Sequence, residues 1–503
     1  MKINFYKELE KKYEEIYLIH EAKSILRWDE HVMLPLGAHS YRTDQYVTLQ
    51  LLSHQKIRDK KLYNLIKKSE RIKKLNIWEK KNLHLIKKHY TESSVLDDKL
   101  IEKTTRAQSD LSKLWLEFRE KKKSSFKPFI PKLEKLLGLI RIEAKILSKK
   151  KKCSLYDAQL DHYEMGLKSD KIDVIFDQLI SFLPDLLKEV LNFQKKKKKI
   201  IPLKKDLFPD LPEILERMNK KFMCALGFNF LYGRLDVSAH PFCGGTYRDV
   251  RITTRYEKNY FDSLMAVLHE TGHAFYNLGT PEKWKYQAVG EPLGMAVHES
   301  QSLFWEMQVC RSYEFLKFAM SIFEKWGGLE INKKENNAEN FYKIFTKVKP
   351  SFIRVNADEV TYPLHVILRY KIEKELIEGN MKVKDIPKVW NMYMKKYLGI
   401  TPKNNLEGCL QDTHWFDGTF GYFPTYTLGA LYAAQFFAKA KKQIPSLSNE
   451  IAKGKFTKLL KWLRDNIHQK GSLYTSDELI KKVTGEELNI EYFKNHLVER
   501  YLN

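Results

Sequence analysis

Paired cysteines, turn residues and long apolar runs are all scarce in this chain, and each shortage excludes a class of protein. The five cysteines, Cys153, Cys224, Cys243, Cys310 and Cys409, are scattered, with no CxxC pair. An odd, sparse set argues against a disulfide framework and for a reducing compartment. No run approaches the roughly 20 apolar residues that cross a bilayer. The opening "MKINFYKELEKKYEEIYLIHEAKSIL" reads as a charged amphipathic helix without the apolar stretch of a signal peptide. The cytoplasm is therefore the expected location, with no membrane partner. Glycine (22) and proline (16) are few for 503 residues, so breaks are few and the elements should be long.

Acidic residues are also in the minority: 63 against 88 basic ones give a formal charge of +25. Part of the excess lies in runs, "KKKSS" from Lys121, "KKKKC" ending at Cys153, and "KKKKK" from Lys195 to Lys199. Such runs suit either an anionic polymer or solvated helix ends and loops. They lack interleaved aromatics and match no recognition module, so solvated surface is the expectation and nucleic acid is not an expected partner.

What is plentiful is helical period. Apolar residues make up 43% of the chain and aromatics 13%, enough for a substantial core. "FYKELEKKYEEIYLIHEAKSIL", "IDVIFDQLISFLPDLLKEVLNF" and "LGALYAAQFFAKAKKQI" all repeat apolar positions at steps of three and four. Strand-like alternation is confined to Gly233–Tyr256, "GRLDVSAHPFCGGTYRDVRITTRY", where one small antiparallel ribbon is expected. The reading is an all-α fold over residues 1–503 as one large unit, compatible with two lobes around a cleft. The basic stretch Lys195–Lys205 is read as a surface loop within it.

The chemistry concentrates in "VLHETGHAFYNLGT", Val267–Thr280. Asn259 and Asp262 suit the start of a helix here, and Gly279 and Pro281 its exit. Residues four apart share a helix face, so His269 and His273 can bind one small ion, with Glu270 beside it as a proton carrier. Two packed core histidines would show the same spacing. A catalytic zinc usually takes three protein ligands. The metzincin pattern would put glycine and histidine at positions occupied by Tyr276 and Gly279, which excludes that subclass. The alternative is a glutamate from a following helix. "EPLGMAVHESQSLFWEMQV" offers Glu299, although a solvent-facing glutamate would occur at the same spacing.

With "HPF" (His240–Phe242), "DVRIT" (Asp249–Thr253), "HETGH" with "HESQ" (His298–Gln301), "IRVNAD" (Ile353–Asp358) and "GCLQDTHW" (Gly408–Trp415) in order, the chain resembles the carboxypeptidase Taq family. Looser similarity runs through "WDEHVMLPLGAHSYRTDQ", "YDAQLDHYEMG", "GYFPTYTLGALYAAQ" and "ELIKKVTGEEL". The resemblance implies a helical fold with a deep groove, like neurolysin and angiotensin-converting-type peptidases. It implies a homodimer, a zinc- or cobalt-supported activity, and release of single residues from peptide C-termini. His269, His273 and Glu299 would hold the metal, and Glu270 would act as base and then acid. His414 and Tyr422 are the oxyanion-donor candidates by analogy with related peptidases; core packing is their other reading. Arg354 is the favoured partner for the substrate carboxylate, with Arg251 and His240 as further groove candidates. Either arginine also fits an ion pair, with Asp358 or Asp249. A same-fold oligopeptidase or dipeptidyl carboxypeptidase, and a basic binding protein with a non-catalytic metal site, are the competing readings.

Overall fold

The computed structural model describes residues 4–503 apart from 198, 205–206, 209–210, 239, 257–259 and 332. The chain opens on α1 (Phe5–Val32), which Asn4 caps by accepting the Lys7 N–H at 3.3 Å. No glycine or proline interrupts α1, and Tyr6, Leu9, Tyr13 and Ile16 recur on its buried face. Further along lies α2 (Ser169–Lys197). It extends through the first lysines of the run read as a loop, because lysine is a fair helix former and the apolar period of the helix carries through. The remainder of that seam is non-helical where described, and Lys205 lies outside the described residues.

The strand region is three strands rather than one antiparallel ribbon. β2 (Cys243–Thr246) pairs antiparallel with β3 (Asp249–Thr254), but β1 (Gly233–Val237) lies parallel to β3 on its other side. Alternation marks a strand without naming its partner, so the direction of β1 was not readable. The β2–β3 turn needs Gly245 at φ +103, where a Cβ would sit 2.0 Å from the Asp249 carbonyl oxygen. α1 covers the free edge of β2: Ser24 Oγ donates to the Gly245 carbonyl and Glu21 accepts the Tyr247 N–H, both at 2.6 Å.

Four helices then build the centre. α3 (Tyr260–Gly279) ends where Gly279 was expected to end it; Asn259, its expected cap, lies outside the described residues. α4 (Met295–Leu303) starts three residues after Pro292 and passes into a π-helical segment, Phe304–Cys310. α5 (Tyr362–Glu378) and α6 (Pro424–Gln443) pack around them, and α7 (Glu491–Leu502) closes the chain. α3 buries Val267, Leu268, Ala274 and Phe275, each larger side chain contributing roughly 1.5–3 kcal/mol. One apolar cluster surrounds α3 to α6, and a second joins α1 to Trp284, Val289 and Leu473. Among the described residues no helix is long and apolar enough to cross a membrane.

Glu164 fixes the start of α4. Its carboxylate accepts the Ala296 N–H at 2.9 Å and the Ser476 hydroxyl. Gly294, at φ +34, leaves it room; a Cβ there would fall 2.5 Å from the carboxylate. Burial pushes the Glu164 pKa up to about 7 from its ordinary 4.5. The folded chain thus keeps a proton that the unfolded chain gives up. That stabilising contribution is full below pH 4.5 and is lost as pH rises through about 7. Glu164→Gln should flatten the fall in stability between about pH 5 and 8, read as the denaturant midpoint at each pH. Identical profiles for variant and parent would reject this assignment.

Candidate active site

α3 and α4 cross so closely that glycine is required. A Cβ on Gly272 would stand 2.5 Å from the Gln301 carbonyl oxygen and 2.6 Å from the Ser302 Cα. This contact brings Glu299 against the two histidines. Glu299 Oε2 lies 3.3 Å from His273 Nε2 and 3.7 Å from His269 Nε2. Tetrahedral ligands about 2.0–2.1 Å from an ion stand about 3.3 Å apart, so the trio fits one small cation. Among the described residues, these three are the one group of His, Cys, Asp or Glu with ligand atoms so gathered, all within 4.8 Å of one another. Glu299 Oε1 is buried without a hydrogen-bond partner among the described residues, as suits a ligand awaiting a charge. On its other side Glu299 packs against Gly429 of α6, where a Cβ would fall 2.7 Å from its Cγ.

The outer partners set both imidazoles. His269 Nδ1 is 2.9 Å from Glu306 Oε2, and Glu306 Oε1 accepts from Arg311 Nη2 at 2.7 Å. His273 Nδ1 is 2.7 Å from His298 Nδ1, and His298 Nε2 donates to Asn277 Oδ1 at 3.1 Å. With that proton on Nε2, His298 Nδ1 accepts from His273 Nδ1–H. Each ligand histidine therefore turns Nε2 toward Glu299, the atom that would bind an ion once unprotonated. Burial opposes charge on His269, but Glu299 and then Glu306 outweigh it and raise its pKa to about 10. A bound cation would displace that proton. Burial, with His269 adding to it, pushes His273 well below the usual imidazole value. Burial also opposes the charged Glu306, but Arg311 and His269 hold its pKa below the ordinary value.

Glu270 is 7% exposed and lines the same cavity, of about 1380 Å³. Burial raises its pKa to about 7, with the Cys243 backbone N–H at the start of β2 a small opposing influence. The start of β2 borders the same cavity beside the histidines.

The other expected residues divide. His414, Tyr422, Arg354 and His240 all line this cavity. His414 Nε2 is 3.0 Å from the Tyr426 hydroxyl, and burial lowers its pKa to about 3, so the ring is neutral. Arg354 is paired, but with Asp412: Nη2 reaches Oδ1 at 2.8 Å, and Arg369 holds the other oxygen at 2.6 Å. Asp358, the partner considered for it, instead accepts the N–H groups of Lys349, Val360 and Thr361 at 2.9–3.1 Å. Arg251 is not in the groove. It pairs with Asp249 at 2.8 Å and lies over the Trp28 ring at 4.4 Å, because strand alternation sends Val250 and Ile252 to the core and Arg251 to the other face.

Glu306, His298, Tyr362 and Tyr426 also line the site, and sequence pattern alone does not mark the first three. Tyr426 stands four residues after Tyr422 at the start of α6, and the rings are 5.1 Å apart. The four-residue step that located His269 and His273 would have found it.

The profile of the carboxypeptidase Taq (M32) metallopeptidase family matches residues 8–501. The chain belongs to that family. This carboxypeptidase is 36% identical over 499 residues to thermostable carboxypeptidase 1 of Pyrococcus furiosus, covering 99% of this chain and 98% of that one. It is 33% identical to carboxypeptidase 1 of Bacillus subtilis, over 96% and 95% of the two chains. Among solved structures it superposes on Trypanosoma cruzi metallocarboxypeptidase 1 with a TM-score of 0.92 at 38% identity, covering 99% of each chain. The Pyrococcus furiosus carboxypeptidase apo-Mg structure matches with 0.91 at 35% identity, covering 100% of this chain and 99% of that one. A metallopeptidase implies a divalent ion, and His269, His273 and Glu299 are the residues with the donor set to hold it.

For the carboxypeptidase, the Glu306 contact has a measurable consequence. Glu306→Gln should lower metal affinity roughly 10–100-fold, the usual cost of losing a carboxylate behind a ligand histidine. Competition with a chromogenic chelator reads this directly, and unchanged affinity would show that Glu306 serves Arg311 alone.

Proposed function

We propose that the enzyme is zinc-dependent, removes single residues from the free C-terminus of peptides with broad side-chain tolerance, and uses Glu270 as general base and then acid. The observation that carries this reading is the meeting of Glu299 Oε2 with His269 and His273 Nε2, at 3.7 and 3.3 Å, on the cavity that Glu270 also lines. A zinc ion there, or cobalt or another divalent ion in its place, would lower the pKa of water and polarise the scissile carbonyl.

The protein's own groups supply the rest. Glu270, buried beside the trio, takes the proton of the attacking water and passes it to the leaving amine. The Tyr422 phenol and the neutral His414 ring are the donors for the oxyanion. Tyr422 also feels Glu299, which raises its pKa further after burial and Tyr426, so its proton stays available to donate. Arg354 commits Nε and Nη2 to Asp412, while Nη1 makes only a 3.5 Å contact with the Tyr362 hydroxyl. That leaves Nη1–H groups for one oxygen of the substrate carboxylate, with Asp412 and Arg369 holding the guanidinium in place. His240 lines the same wall and is proposed to flank the bound peptide. A homodimer in the cytoplasm belongs to the same reading.

Digesting one defined peptide and weighing the products tests it. Successive single-residue losses from the C-terminus support exopeptidase action; internal cuts or two-residue losses would instead indicate an oligopeptidase or dipeptidyl carboxypeptidase of this fold.

A further inference from the structure

The charge of the groove changes between its floor and its mouth, and we propose that the mouth selects peptides carrying acidic side chains upstream of the residue to be released. This rests on the peptidase reading above and names the substrate class it favours. On the floor, Glu270, Glu299, Glu306 and Asp358 are buried and already engaged with the histidines, Arg311 or backbone N–H groups. Toward solvent the balance reverses. Among the described residues, the exposed charged side chains lining the cavity are Arg27, Lys204, Arg255, Lys347 and Lys349, against the carboxylates of exposed Asp262 and half-buried Asp417.

These cations come from separate parts of the chain. Arg27 lies on α1, Arg255 follows β3, Lys204 belongs to the stretch after α2, and Lys347 and Lys349 precede the "IRVNAD" segment. The last two segments are tied together, since the Ile201 N–H donates to Asn340 Oδ1 and the Val348 N–H to Gln194 Oε1. The fold, and not a lysine run, gathers the charge. Some surface lysines elsewhere are answered by carboxylates at helical spacing, as in Lys343–Glu339 and Lys461–Asp465, both at 2.6 Å. Arg27, Lys347 and Lys349 have no such ion pair among the described residues.

A peptide whose terminus reaches Arg354 must lead its preceding residues out past this rim. Charges of one sign around a low-dielectric cleft focus their field into it, so carboxylates are drawn in and ammonium groups repelled. Because the rim is solvated, each pairing is modest and screened by salt, and the selection comes from several acting together.

The test uses three peptides identical in their last two residues, with Glu, Gln or Lys at the three positions before them. kcat/KM is measured from the released amino acid. At low ionic strength the Glu peptide should exceed the Lys peptide roughly tenfold through KM, and the preference should shrink to about threefold or less near 1 M salt. Lys347→Gln combined with Lys349→Gln should reduce the low-salt preference about threefold. Equal kcat/KM across the three peptides overturns the proposal while leaving the peptidase reading intact. A preference that neither salt nor the double variant alters also overturns it, since the selection would then come from shape. Release from none of them overturns both.

Discussion

Glu270→Gln should leave the bound metal in place and reduce peptide hydrolysis by roughly 10²–10⁴-fold, the range general acid–base catalysis supplies. The two halves of this expectation come from different observations. The proposed metal donors are His269, His273 and Glu299, whose ligand atoms converge without any contribution from Glu270. Glu270 stands next in sequence to His269 but is not among the gathered ligand groups. Glutamine fills the same buried space and removes only the ability to accept and return a proton. Metal content per chain and amino-acid release are both measured on the same preparation. Undiminished release would remove Glu270 from the mechanism, and loss of the metal would make it a ligand.

Gly272→Ala should cost nearly as much by a different route, since a single methyl group strikes backbone and no side chain can swing away. The added Cβ would meet the Gln301 carbonyl oxygen at 2.5 Å and the Ser302 Cα at 2.6 Å, so α3 and α4 must separate. Overpacking of this kind typically costs about 1–3 kcal/mol. The separation falls between the helix that carries both histidines and the helix that carries Glu299, so ligand geometry pays first. The expected result is at least a tenfold loss of metal affinity, about 1.4 kcal/mol or more, with a lowered unfolding temperature. Metal affinity and stability both unchanged would mean that the helix crossing is looser than described, and the close approach would lose its role in building the site.

Much of this site was legible before any coordinates, for a physical reason. A helix repeats its face every three or four residues, so His269 and His273 announce a shared direction, and Gly279 announces where α3 stops. Glu299 was legible only with the motif around it, because a glutamate 26 residues beyond His273 can meet it or miss it depending on how two helices cross. Glycine 272 decides that crossing, and nothing local in "HETGH" says which residues it will touch. The π-helical turn that brings Glu306 to His269 is likewise a product of packing. Of the two ion pairs the sequence offers, Arg251–Asp249 forms and Arg354–Asp358 does not. Arg354 was matched with Asp358 four residues away, yet α5 and the "QDTHW" loop deliver Asp412 and Arg369 to it instead. Local proximity in sequence favoured a carboxylate that the fold spends on capping backbone N–H groups. Arg251 takes the ion-pair reading and not the groove one, since alternation along β3 is visible in the sequence but the face turned to the groove is not.

Three side chains sharing one ion, with room left for substrate, are the core of the proposed chemistry. The most direct test loads the purified protein and Glu299→Gln with zinc, dialyses both against a weak chelator, and measures zinc per chain. The parent should retain one equivalent, and the variant, deprived of the carboxylate that lies within 3.3 and 3.7 Å of the imidazoles, should retain little. One equivalent held equally by both proteins would contradict it, because the ion would then be bound without Glu299.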